Sequence, residues 1–120
     1  MIKANGDANM SINTVSKFRL TNNGGFVCDI HALYFDENGM QLEAKNGDNF
    51  PVLQTRTMNL GEKCTGIYKG SMVQLKVWIM WGSDNTFRQG FAYDPAGPIQ
   101  TFKISGTTLN SSIEWTGPAS

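Results

Sequence analysis

The chain has 120 residues, the size of one domain, and 10 Lys and Arg balance 10 Asp and Glu, so the formal net charge is zero. Nucleic-acid binding and plain attraction to anionic membranes both need a basic surface, so this composition argues against either as the main driving force. A neutral chain also tolerates self-association, and a partner is expected to be read by shape, aromatic contact or hydrogen bonding.

The first ten residues carry no apolar h-region, so no Sec-type signal is expected. Nor does any apolar run approach the roughly 18 residues of a spanning segment. A flexible segment over 1–10 and one β-sandwich domain over 11–117 are the expected organisation. The chain would be cytoplasmic as synthesised, or released without a classical signal peptide. Two glycosylation triplets, at Asn9 and Asn110, carry little weight without an export signal.

From Ile12 onward the pattern is alternation, not helical period. Ile12, Thr14, Ser16, Phe18 and Leu20 share one face of a first strand, which stops at the turn-forming NNGG of residues 22–25. A second strand follows, with Phe26, Cys28, Ile30, Ala32 and Tyr34 on one side and Val27, Asp29, His31, Leu33 and Phe35 on the other. DENG (36–39) reads as a hairpin turn into a third strand, MQLEA (40–44). KNGDN (45–49) is a further turn, and Pro51 places the segment after it at a strand start or an edge.

Residues 61–71 are the longest irregular stretch. The strand after it puts Val73, Leu75, Val77, Ile79 and Trp81 on a core face, against Met72, Gln74, Lys76, Trp78 and Met80. GSDN (82–85) breaks it. Phe87, Gln89, Phe91 and Tyr93 then alternate, with Gly90 read as a bulge. DPAGP (94–98) is a loop, and IQTFKI, a turn at Ser105-Gly106 and TTLNSSIEW close the chain. Trp115, in phase with Leu109 and Ile113, is expected in the core. About eight short strands with turn chemistry between them predict an all-β fold, an antiparallel β-sandwich or jelly roll.

Chemistry-bearing residues are few. His31 has Asp29 on its own face, but no nucleophile stands in a recognisable context, so the pair is expected to be polar decoration at the sheet surface and the chain not to be an enzyme. One histidine and two distant cysteines lack zinc spacing. DENGMQLE departs from a calcium loop, and no metal or cofactor is expected. Cys28 and Cys64 either pair or sit buried and reduced.

The aromatic residues point further. Trp78 and Met80 share their face with Gln74 and Lys76, so either a loop caps that end or it faces a ligand. An amphipathic Trp suits a sugar face or a membrane interface. Trp78, Met80, Asp84 and Asn85 are therefore the candidate ligand-binding residues, with Asn22 and Asn23 as further hydrogen-bonding groups in turns. The expected activity is non-enzymatic recognition of a membrane lipid head group or a cell-surface glycan. A self-assembling structural subunit, with the apolar face as a protomer contact in a homo-oligomer, and a small lectin are the alternatives. Nucleic acid is not an expected partner.

The segments WGSDNTF (81–87), TFKISGTTLNSSIEWTG (101–117) and FRLTNNGG (18–25) together resemble the aegerolysins. That resemblance implies a leaderless β-sandwich that binds membrane lipids, acting beside a larger pore-forming partner protein in a cytolytic or toxin system. Asn22, Asn23, Gly25, Phe26, Val27 and the GTTLN of residues 106–110 are also similar to small uncharacterised microbial sandwiches, which implies a fold and no activity.

Overall fold

The computed structural model describes residues 13–120. The N-terminal segment 1–10 and Ile12 lie outside the described residues. In chain order the strands are β1 (Thr14–Val15), β2 (Lys17–Gly24), β3 (Cys28–Phe35), β4 (Gln41–Lys45) and β5 (Thr55–Asn59). After a one-turn helix, α1 (Leu60–Lys63), come β6 (Met72–Ile79), β7 (Asn85–Thr86), β8 (Phe91–Tyr93), β9 (Ile99–Thr107) and β10 (Asn110–Pro118). They form two sheets packed as a β-sandwich. One has the order β10-β9-β2-β5, the other β1-β8-β6-β3-β4 with β7 beside β6.

Most neighbours are antiparallel, but β9 runs parallel to β2 over eight register pairs and β1 runs parallel to β8. Alternation has the same period in both arrangements, so sequence pattern does not distinguish them.

The alternating faces become the two sides of each sheet. Phe18 and Leu20 of β2, Ile30 and Ala32 of β3, Val73 to Ile79 at every second position of β6, and Phe102 and Ile104 of β9 are buried between the sheets. Phe18 and Phe91 both meet Phe102 edge-on, at 5.6 and 5.9 Å between ring centroids. Each such buried ring or branched chain contributes about 1.5–3 kcal/mol of transfer free energy. Half-buried Trp115 reaches this cluster against Phe91 at 5.3 Å, so its assignment to the core holds at the core's margin.

Several local expectations change. The DENG turn forms as read: the Asp36 carboxylate accepts the N–H groups of Asn38 and Met40, both at 2.9 Å, and Gly39 takes φ +78°. Residues 51–54 are a turn and not strand; β5 starts only at Thr55. The irregular stretch contains α1, whose first turn is capped by the Asn59 side chain accepting the Glu62 N–H at 3.3 Å. β9 continues through Ser105-Gly106, and the hairpin turn falls at 108–109. Gly106 permits this with φ +107°, where a Cβ would run into the Asn110 carbonyl.

Cys28 and Cys64 are free and buried. Burial, aided by the Asp29 charge, pushes the Cys28 thiol up to about 12. Burial alone does the same to Cys64.

Candidate functional site

One end of the sandwich gathers four loops, 24–27, 51–54, 80–84 and 106–110. The strand register brings them together: Cys28 at the start of β3 faces Ile79 at the end of β6, and Gly24 at the end of β2 faces Gly106 in β9. Main-chain hydrogen bonds then tie loop to loop. The Met80 N–H donates to the Val27 carbonyl at 3.0 Å, Gly25 to Gly106 at 3.0 Å, Leu53 to Asn22 at 2.6 Å and Ser83 to Thr108 at 2.8 Å.

The tip so formed is apolar where water meets it. Trp81 is 91% exposed, Leu53 77% and Leu109 75%. Trp81 and Leu53 both hold positive φ, 57° and 71°, which turns their side chains out of the run of their neighbours. Beside Trp81 lies a depression of about 350 Å³, with Phe26, Val27, Pro51, Val52 and Met80 in its walls. Loops 24–27, 51–54 and 106–110 include no Asp, Glu, Lys or Arg, and the one charged residue of loop 80–84 is Asp84 at its far end, 3.8 Å from Lys76 Nζ.

Trp81 is thus a correction. Parity along β6 assigned it to the core, but β6 ends at Ile79 and the backbone leaves the extended region at Trp81. Leu109, read in phase with Ile113 and Trp115, sits in the β9–β10 turn and is exposed for a similar reason.

The four candidate ligand residues do not form one site. Met80 lines the tip depression. Asp84 is turned to structural use, its Oδ1 accepting the Ile79 N–H at 3.1 Å and its Oδ2 lying 3.8 Å from Lys76 Nζ. Asn85 Nδ2 donates to the Ser111 carbonyl at 3.0 Å and to Ser111 Oγ at 2.9 Å. Asn22, expected as a free hydrogen-bonding group in a turn, is fully buried and bonded internally, whereas Asn23 is exposed.

Trp78 lies on the outward face of the other sheet, half-buried, with its ring parallel to that of His31 at 6.4 Å and 9°. Beneath it runs a polar chain. Asp29 Oδ2 faces His31 Nε2 at 3.4 Å, and His31 Nδ1 faces Glu43 Oε2 at 2.7 Å. Lys76 Nζ donates to Glu43 Oε1 at 3.0 Å. Asp29 and His31 are 2% and 4% exposed, so the pair is outward-facing as expected but covered, not surface decoration. Both ring nitrogens of His31 face carboxylates, Asp29 on one side and Glu43 on the other, and neither faces a hydroxyl or thiol among the described residues. Partial burial on its own raises the Glu43 carboxyl. Hydrogen bonds from His31 and Lys76, with their charges, outweigh it and hold the group below its ordinary value.

No family model matches the chain, and no curated protein does. The likeness to aegerolysins therefore rests on short motifs alone. Solved structures do resemble it. The membrane-binding domain of pneumolysin is 16% identical over 88% of this chain and 98% of its own length, with a TM-score of 0.42. Wild-type pneumolysin is 16% identical over 88% of this chain and 23% of its own, with a TM-score of 0.46. A disulfide-locked mutant of intermedilysin with human CD59 is 16% identical over 87% and 24%, also with 0.46. The chain thus spans under a quarter of those whole proteins. At such identities and TM-scores below 0.5, no property of theirs transfers to this chain.

Proposed function

We propose that the chain is a non-enzymatic membrane-recognition module that docks through the loop tip. The supporting observation is the tip itself: Trp81, Leu53 and Leu109 stand out from loops 80–84, 51–54 and 106–110, whose one charged residue is Asp84 beside Lys76. Amphipathic Trp with neighbouring leucines suits the interfacial layer of a bilayer, where one edge of the ring is apolar and the other wet. Met80 contributes the apolar wall behind them.

The energy available sets the mode of binding. Burying two leucines and a tryptophan releases about 1.5–3 kcal/mol each before the cost of immobilisation, which leaves a net near that of a single acyl anchor. Binding by one tip is accordingly reversible, and firm attachment needs a second contact or several copies. With no basic residue in the four loops, Asp84 beside Lys76 and no net charge on the chain, binding should be insensitive to salt and to anionic lipid. The aegerolysin likeness extends this proposal to a part in a cytolytic system beside a pore-forming partner.

Co-sedimentation with phosphatidylcholine vesicles, followed by Trp fluorescence at low and high salt, tests the reading. The expected result is salt-independent binding with a blue shift. Trp81→Ala should weaken it about tenfold, and Trp81→Ala with Leu53→Ala should abolish it. Binding that these folded variants retain, or that appears only with anionic lipid at low salt, would overturn the proposal.

A further inference from the structure

The outward face of the sheet containing β3, β4 and β6 carries an open groove of about 560 Å³ whose lining is quite unlike the tip's. Asp29, His31 and Glu43 form its floor, Trp78 one wall, and Lys45 and Asn49 the rim. We infer that this groove is a saccharide-binding site for a neutral, hydroxyl-rich sugar.

Neither sheet of the sandwich packs over this face, yet a carboxylate and an imidazole lie almost fully buried on it. Such an arrangement forfeits hydration that an exposed Ser or Thr pair would keep, so stability does not account for it. Asp29 also shapes the far wall. Its Oδ2 accepts the Gly47 N–H at 2.9 Å and its Oδ1 the Asp48 N–H at 3.2 Å, which folds the 47–49 loop toward the sheet opposite Trp78. The cleft between is wide enough for about one or two pyranose rings.

Its chemistry selects the ligand class. The Trp78 wall offers a flat apolar face for the C–H side of a sugar ring. Asp29 and Glu43 have lone pairs beyond those already used, and Lys45 and Asn49 supply donors at an exposed rim. A phosphate would meet Asp29 and Glu43. A quaternary ammonium would meet Lys45, and would find one aromatic wall where a cage needs several. A neutral polyol suits a lining of two carboxylates and Lys45, with one carboxylate, Glu43, already paired to Lys76.

The site's position suggests where such a sugar is displayed. Trp78 precedes Met80 by two residues and Asp29 follows Val27 by two, so the groove opens roughly 7 Å along the strands from the tip. A sugar on a lipid would lie at that height once the tip entered the interface; only this choice of source rests on the membrane reading. The groove itself stands without it.

The test uses the full chain on an array of immobilised neutral mono- and oligosaccharides, and on phosphatidylcholine vesicles with and without a neutral glycosphingolipid. Trp78→Ala, and separately Glu43→Gln, should reduce array binding about tenfold or more, while Trp81→Ala leaves it unchanged. If the glycosphingolipid strengthens vesicle binding and Trp78→Ala removes that gain, the sugar is taken from lipid. Array binding with no such gain assigns it to free or protein-linked glycans, with the site upheld. No saccharide bound in either format overturns the inference, as does unchanged array binding by both variants, each checked as folded by far-UV circular dichroism. Loss of vesicle binding by Trp81→Ala with Leu53→Ala, array binding intact, keeps the two sites distinct.

Discussion

Replacing Asn22 by alanine tests how the tip is held in shape. The side chain is fully buried. Its Nδ2 donates to the Phe26 carbonyl at 2.7 Å and the Phe50 carbonyl at 3.3 Å, and its Oδ1 accepts the Gly24 N–H at 2.8 Å. It thus bridges the loop before β3 to the chain that enters loop 51–54. Alanine removes all three bonds. The Phe50 carbonyl keeps the Cys28 N–H at 3.0 Å, so the main loss falls on the Phe26 carbonyl and the Gly24 N–H. At about 1–3 kcal/mol for each buried group deprived of a partner, the variant should be about 3 kcal/mol less stable. With a urea m-value near 1.5 kcal/mol/M, the unfolding midpoint would fall by about 2 M. Asn22→Asp should be no better, since it turns an oxygen toward two carbonyls and buries a charge. Equilibrium unfolding in urea by far-UV circular dichroism is the assay. A loss below about 1 kcal/mol for alanine would refute the account, because the three bonds would then contribute no more than one ordinary exposed contact.

The other tests are simpler. The Glu43 carboxyl lies below its ordinary 4.5 when folded, so the stability it contributes is fully present above that pH and is lost as pH falls through the folded value. Glu43→Gln should therefore flatten the acid limb of the stability profile, and an unaltered limb would contradict the His31 and Lys76 pairing. Cys28 and Cys64, buried and with thiols pushed up to about 12, should be inert to a disulfide reagent in the native protein and react together on unfolding. Rapid labelling of either in the folded chain would argue against their placement. Gly82→Ala drives a Cβ into the Thr108 carbonyl and to 2.9 Å from Ile79 Cγ2, so the two tip loops must part. We expect a loss of about 1–3 kcal/mol together with weaker vesicle binding. Gly25→Ala, whose nearest contact is the Gly106 carbonyl at 3.9 Å, serves as the control.

Much of the sandwich was legible because alternation is a direct record of burial on a sheet. Every residue assigned to the inner side of β3 is buried, and so are those of β6 as far as Ile79. The partners across the sheets were not legible. Neither the parallel pairing of β9 with β2 nor the closeness of loops 24–27 and 106–110 leaves a local signal. The polar groove was half visible: Asp29 and His31 share a face by their spacing, but Glu43 and Lys76 join them only through strand pairing, and their burial depends on Trp78 and the 47–49 loop.

The two aromatic and aliphatic residues misplaced by periodicity, Trp81 and Leu109, have a common cause with a bearing on function. A parity argument assumes that each successive residue is extended. It fails at the first residue that is not, and the failure inverts the side chain rather than merely blurring its position. For Trp81 that break is a φ of 57°, an uncommon value for a bulky side chain. For Leu109 it is the turn that follows the glycine-bent end of β9. An apolar residue in phase with a strand but beyond its last ladder bond is therefore the one to suspect of facing outward. A buried role would have been served by continuing the strand. Trp81 at 91% exposure sits in an uncommon backbone conformation that its turn bond, Gly82 N–H to the Ile79 carbonyl at 3.1 Å, holds without using the indole, and Leu53 repeats the pattern at φ 71°. Two such residues on neighbouring loops, both aimed at solvent, are the strongest physical reason to look for an apolar partner at this end of the molecule.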